Sequence, residues 1–168
     1  MVITCDGSTT SSAQAFTLYI DSFDNLFIAY NNTPTMDIFN TTSFTKITSV
    51  SSTTGSVSGV AWGFTTDFSN NLYVSYTDGN VYKMTNSTVS QLSISATNPK
   101  GIGNTIDYMY AVTGNSIAKY NNTGTLVSYT PTFTPPLNNP IGISFNSTNN
   151  TLYVVNNGSN NISSTTTL

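Results

Sequence analysis

DFSNNLYVSYTDGNVYKM, residues 67–84, reads as two alternating strands, Leu72–Tyr76 and Asn80–Met84, joined by the tight turn Thr77-Asp78-Gly79. Asp-Gly between alternating apolar runs predicts a hairpin, because the turn needs positive φ and these two residues tolerate it. The same text recurs in degraded form as DNLFIAY at 24–30, DYMYAV at 107–112 and NNTLYVV at 149–155. A repeated hairpin is the unit. Period 2 holds throughout, and no segment places apolar residues at i, i+3, i+4 and i+7 over a helical length. The expected fold class is all-β.

Working outward, the chain divides into four repeats at roughly 14–50, 57–94, 100–130 and 140–166, read together as one domain over 1–168. The first three predict four strands each, the third ending in Thr125–Tyr129 before a proline-rich connection, Pro131 to Pro140. The fourth predicts Ile141–Phe145, Leu152–Asn156 and a weak Asn160–Thr166. Leu26, Leu72, Met109 and Leu152 start the second strands, at spacings of 46, 37 and 43 residues. That period suits four-stranded propeller blades rather than helical repeats. Each unit buries a face only by packing on its neighbours, so Leu26, Ile28, Leu72, Val74, Val112, Leu152 and Val154 are the expected core. The leftover Val2–Cys5 would pair beside the fourth repeat and close the blade, removing an exposed edge.

The text Pro140-Ile141-Gly142-Ile143, then Asn146, then Leu152-Tyr153-Val154, resembles the NHL-type β-propeller repeat. Lys100-Gly101-Ile102 with Asp107 and Tyr110-Ala111-Val112 matches in part, as does Asp67 with Asn71-Leu72-Tyr73-Val74. The similarity spans about residues 14–165 and implies a β-propeller of about four four-stranded blades, or a segment of a larger ring. The charged pair usual after the second strand is replaced by Tyr30, Tyr76, Thr113 and Asn156. Propeller lactonases, the enzymatic relatives, use a Glu/Asn/Asp metal cluster, and this chain has no Glu.

Composition narrows the function. Only 7% of residues are charged; the acids are seven Asp and the bases four Lys, with no Glu, Arg or His. A net charge of −3 with four scattered lysines cannot form a phosphate-tracking stripe, so nucleic acid is not expected as a partner. No apolar run approaches the ~18 residues of a membrane span. Without His, a Ser or Cys nucleophile lacks its ordinary base, and zinc or iron lacks imidazole. No enzyme activity and no cofactor are expected. Cys5 is the single cysteine, so no internal disulfide forms.

Candidate site residues each carry a structural alternative. Asp21, Asp67 and Asp107 fall in repeated turns, where an Asx side chain bonds the backbone two residues on; the other reading is a Ca²⁺ cluster of hard oxygen ligands. Trp62, the one tryptophan, with Tyr30, Tyr76 and Tyr110, is either inter-blade core or a stacking platform for a ligand. Asn31, Asn40, Asn86, Asn121, Asn146, Asn149, Asn157 and Asn161 head eight Asn-x-Ser/Thr sequons. With 22 Asn and 53 Ser plus Thr, chance supplies about seven such acceptor sites. The reading is a non-catalytic recognition or assembly module on a cell surface, extracellular appendage or virus particle, binding a protein partner or itself. A carbohydrate-binding, lectin-like propeller is the alternative, and a degenerate propeller hydrolase the third.

Overall fold

The computed structural model describes residues 15–30, 35–50, 59–67, 69, 71–85, 88–95 and 99–166. They form four antiparallel sheets, each a meander in chain order. The first holds β1 (Ala15–Ile20), β2 (Asn25–Tyr30), β3 (Met36–Asn40) and β4 (Lys46–Val50). The second holds β5 (Ala61–Thr66), β6 (Leu72–Tyr76), β7 (Asn80–Thr85) and β8 (Thr88–Ser95). The third holds β9 (Pro99–Asn104), β10 (Tyr108–Thr113), β11 (Ser116–Asn121) and the two-residue β12 (Leu126–Val127). The fourth holds β13 (Pro140–Asn146), β14 (Thr151–Asn156) and β15 (Asn161–Thr166).

The hairpin that opened the sequence reading forms as its residues require. Gly79 takes φ 92° and its N–H donates to the Tyr76 carbonyl at 3.2 Å. The Asp78 carboxylate accepts from Asn80 N–H at 2.9 Å and from the Tyr82 hydroxyl at 2.7 Å. One turn thus orients a side chain on the following strand.

Alternation then assigns each face of a second strand to a different neighbour. Leu72, Val74 and Tyr76 point back to the first sheet and pack with Phe27, Ala29, Met36 and Ile38. Tyr73, out of phase with them, points forward and packs with Ile102, Met109 and Ala111 of the third sheet. Tyr110 and Val112 point forward to Leu152 and Val154 of the fourth. Every residue named above as expected core is buried.

The first strands pack in series, β1 on β5, β5 on β9 and β9 on β13, and each second strand leans on the next sheet's first strand. Each first strand also carries a β-bulge near its start: register shifts fall between Ala15 and Thr17, Ala61 and Gly63, and Pro140 and Gly142, and opposite Ala111–Thr113 in β9. Bulges add local twist and bend the strand. Glycine follows the bulge where strands converge. A Cβ on Gly101 would lie 2.6 Å from Gly142 Cα and 2.9 Å from Ile143 N; one on Gly63 would lie 2.9 Å from the Lys100 carbonyl oxygen. The Ser75 hydroxyl closes the same seam by donating to the Lys100 carbonyl.

Three strand expectations shift. Alternation predicts a strand over Phe44–Val50, but Phe44 sits in the turn before β4 at φ 55°. It predicts another over Gly101–Ile106, but Ile106 lies beyond the end of β9 and is exposed. The expected Thr125–Tyr129 strand shortens to Leu126–Val127, because Tyr129 leaves the sheet edge to pack edge-on against Tyr110, with ring centroids 5.4 Å apart. Val2–Cys5 lies outside the described residues. The outer edge of β15 carries an antiparallel bridge from the proline-rich connection, Thr134 to Ser164, with both hydrogen bonds at 3.0 Å.

Candidate functional site

Asp21 and Asp67 hold equivalent turns, between β1 and β2 and between β5 and β6. Asp21 Oδ1 accepts from the N–H groups of Phe23 and Asn25, and its Oδ2 from the Asn25 amide. Asp67 repeats the pattern with Ser69 and Asn71 and adds the Tyr73 hydroxyl at 2.9 Å. Burial alone would raise the Asp67 pKa, but these donors outweigh it and hold the carboxyl below its ordinary value. Asp107 is exposed in the β9–β10 turn. Each lies in the turn of its own sheet, and among the described residues no three acidic or thiol groups gather as a metal site would require.

A fourth aspartate, which the sequence did not single out, is the most buried of those described. Asp37, on β3, accepts from the Tyr30 hydroxyl at 2.7 Å and the Ser49 hydroxyl at 2.7 Å, and pairs with Lys46 Nζ at 2.8 Å. Burial raises its pKa, yet the hydrogen bonds from Lys46, Ser49 and Tyr30 and the Lys46 charge leave it lowered. The signal available in the sequence was an acid inside the alternating run Met36–Asn40; its serine and lysine partners emerge only from the β3–β4 register.

Tyr30, Tyr76 and Tyr110 are all buried, with Tyr76 packed edge-on to Tyr82 at 5.2 Å. Burial, then the Asp78 and Tyr82 charges, push the Tyr76 phenol well above its ordinary value. These rings offer little face to solvent. Trp62 is half-buried, on the bulge of β5. Of the sequon residues, Asn40, Asn121 and Asn146 accept backbone N–H bonds in Asx turns. Asn149 and Asn157 are exposed in turns, and Asn161 opens β15 and accepts from the Asn156 amide. Asn31 and Asn86 lie outside the described residues.

An open cleft of about 450 Å³ runs between the start of β11 and the connection that follows β12. Asn115, Ser116, Tyr129, Thr130, Phe133 and Leu137 give it a mixed aromatic, hydroxyl and amide lining. Phe133 anchors the connection by burying its ring against Tyr110, Val112 and Leu152. Asn115 Oδ1 accepts from Asn139 N–H at 2.9 Å and fixes the rim. Beside the cleft, buried Lys119 holds its ammonium 3.9 Å from the Tyr108 ring centroid and 5.2 Å from that of Tyr129, a cation–π cage. The Tyr129 hydroxyl is buried without a hydrogen-bond partner among the described residues. The sequence did not single out this cleft, since it depends on where a proline-rich segment settles.

No family model matches the sequence, and no curated protein matches it at the sequence level. Solved structures do match in three dimensions. The Swd1 β-propeller domain from Myceliophteria thermophila superposes with a TM-score of 0.68 at 12% identity, over 93% of this chain and 52% of that one. A catalytically inactive histidine-to-alanine form of virginiamycin B lyase from Staphylococcus aureus, with quinupristin, gives 0.68 at 13%, over 94% and 57%. Hydrazine synthase from Kuenenia stuttgartiensis gives 0.69 at 14%, over 93% and 46%. This chain spans about half the length of each. At such identities the likeness shows the fold, and it agrees with the bulged, converging first strands: the chain is an arc of four β-propeller blades.

Proposed function

We propose that this arc is a non-catalytic recognition and assembly module, with an NHL-type reading of its repeats and an exposed location on a cell surface, appendage or particle. The observation that supports it is the employment of the carboxylates. Asp21, Asp37, Asp67 and Asp78 each accept two or more bonds from turns, tyrosines or lysine, so they act as scaffold. The named lyase form is inactive through loss of a histidine, and this chain contains none.

What the surface offers is the cleft beside β11, whose polar groups are amide and hydroxyl. Such groups make adaptable hydrogen bonds and aromatic contacts without long-range charge steering. Asn115, Ser116, Thr130 and Tyr129 together favour a second reading, in which the cleft takes a neutral sugar. A glycan array and an immobilised peptide array, run with the purified chain and with Ser116→Arg, separate the two. Binding in either array that the variant loses supports recognition at the cleft. Hydrolysis of ester, lactone or glycoside substrates that Asp67→Ala abolishes would overturn the module reading.

A further inference from the structure

In the first two blades the fourth strand covers the third along nearly its whole length: β4 pairs with β3 from Met36 to Phe39, and β8 with β7 from Asn80 to Thr85. In the third blade β12 reaches only Lys119 and Tyr120 of β11. The residue that antiparallel register would set opposite Ile117 is Tyr129, and Tyr129 has left the sheet for the Tyr110 ring. The start of β11 is therefore an edge that its own blade does not cover.

Strand alternation decides which backbone groups that edge bares. Ser116 pairs with Thr113 across the Gly114-Asn115 turn, and Asn121 N–H donates outward to the Thr125 carbonyl at 3.0 Å. Asn121, Lys119 and Ile117, on alternate residues, thus send their N–H and C=O groups to the outer edge. Asn121 finds Thr125 and Lys119 finds Val127. Ile117 pairs with no outer strand among the described residues, and it borders the cleft of about 450 Å³. Its side chain is buried in the seam with the fourth blade, so it is the backbone that meets the cleft.

The opposite wall holds this edge open. Phe133 is anchored in the same seam, Thr134 is bridged to Ser164 of β15, and Asn139 is held by Asn115. Pro131 and Pro136, on that wall, have no N–H to offer and cannot zip onto β11. No lining residue carries a charge. The Asn115 Oδ1 is already engaged, and the Ser116 hydroxyl donates to the Thr113 carbonyl at 3.0 Å, which leaves few directed side-chain groups for a ring of sugar hydroxyls. A backbone donor and acceptor on one strand edge, beside apolar rings, suit a different ligand.

We propose that the cleft takes an extended, uncharged peptide segment of a partner protein, which adds to β11 where β12 breaks off. This rests on the recognition reading above and names its ligand. One residue of the segment exchanges both backbone hydrogen bonds with Ile117. Directly opposed residues share a face, so the side chain of that residue falls on the Ile117 side, toward Phe133 and Leu137, and is apolar. The pinned wall and preformed edge leave little to be ordered on binding.

The test uses the purified chain, an immobilised library of uncharged heptapeptides, and amide hydrogen exchange read by NMR. In the free chain the Ile117 amide should exchange faster than those of Ala118 and Lys119, whose partners are Ala111 and Val127. Saturation with the tightest heptapeptide should slow it to their rate. N-methylation of the peptide residue facing Ile117 should weaken binding ~10-fold, the loss of one hydrogen bond, while N-methylation of either neighbour, whose N–H points away, should not. An Ile117 amide already protected in the free chain overturns the proposal, because the edge is then filled from within. So does peptide binding that leaves Ile117 exchange unchanged or tolerates N-methylation at every position. Glycans that bind and are lost in Ser116→Arg, with no heptapeptide bound, would remove the added strand and leave recognition at the cleft standing. No binding in either array would remove both.

Discussion

Gly101→Ala tests the packing on which the arc depends. The added Cβ would meet Gly142 Cα at 2.6 Å, Ile143 N at 2.9 Å and the Ile141 carbonyl oxygen at 3.0 Å. All three are backbone, so no rotamer change relieves the clash. Carbon atoms rest at about 3.5–4.0 Å, so β13 would have to retreat by roughly 1 Å, and a gap of that size forfeits about a quarter to a half of each contact it opens. The contacts at stake join Tyr110 and Val112 to Leu152 and Val154. Overpacking of this kind costs about 1–3 kcal/mol, and immobile backbone puts this site at the upper end. At about 2–4 °C per kcal/mol for a chain of this size, we predict a melting temperature lower by roughly 4–12 °C. Circular-dichroism melts and urea midpoints measure it, with Gly142→Ala as control, expected within about 0.5 kcal/mol. Equal midpoints for the two variants would refute the claim that β9 and β13 converge on glycine.

Three further outcomes follow from the core and its titrating groups. Leu72→Ala removes a buried side chain from the first inter-blade cluster and should cost ~2–5 kcal/mol in a urea titration; a cost near zero would sink the repeat assignment. Because the Asp37 and Asp67 carboxyls sit below their ordinary value of 3.8 when folded, their stabilisation is full above that value and is lost as pH falls through the folded pKa. Asp37→Asn should cost about 1–3 kcal/mol at neutral pH, discounted for the partly exposed Lys46, and should flatten stability below about pH 4. At the alkaline end, burial and then the Asp78 hydrogen bond and charge push Tyr82 from 10.0 up to about 12. The folded state therefore keeps its proton longer, and stability present below pH 10.0 should fall between there and about 12. Tyr82→Phe should shrink that loss, read as urea midpoints across the same interval.

The repeat was legible because its signals are local. Asp78-Gly79 sets the turn, and the runs around Leu26, Leu72, Met109 and Leu152 alternate within a few residues. The site residues were less so, because what decides their use is nonlocal. Tyr30 reads equally as core or as platform until Asp37, seven residues on, is seen to accept its hydroxyl hydrogen bond inside the sheet. Asp37 draws no reading from sequence, since Ser49 and Lys46, which meet it across the register, lie far from it along the chain. Tyr129 reads as a strand end, and it is the Tyr110 ring and the Lys119 ammonium, from two other strands, that draw it away. The cleft it lines follows from that departure.

The number of blades is written in no single repeat, and the chain's end faces show why that matters. Each second strand is apolar on both faces, as in LYVSY of β6, so every blade asks for a neighbour on either side. The outward face of the fourth blade is mixed. Tyr153, Val155 and Ile162 are exposed on it, and the register of β13, β14 and β15 puts Ser144, Thr151, Ser164 and Thr166 on the same face. The apolar groups Val155 and Ile162 pair beside Gly142, where a Cβ would meet nothing nearer than Val155 Cβ at 4.0 Å. That corner has the chemistry of the interior seams, while the hydroxyls around it give the rest of the face groups that hydrogen-bond water.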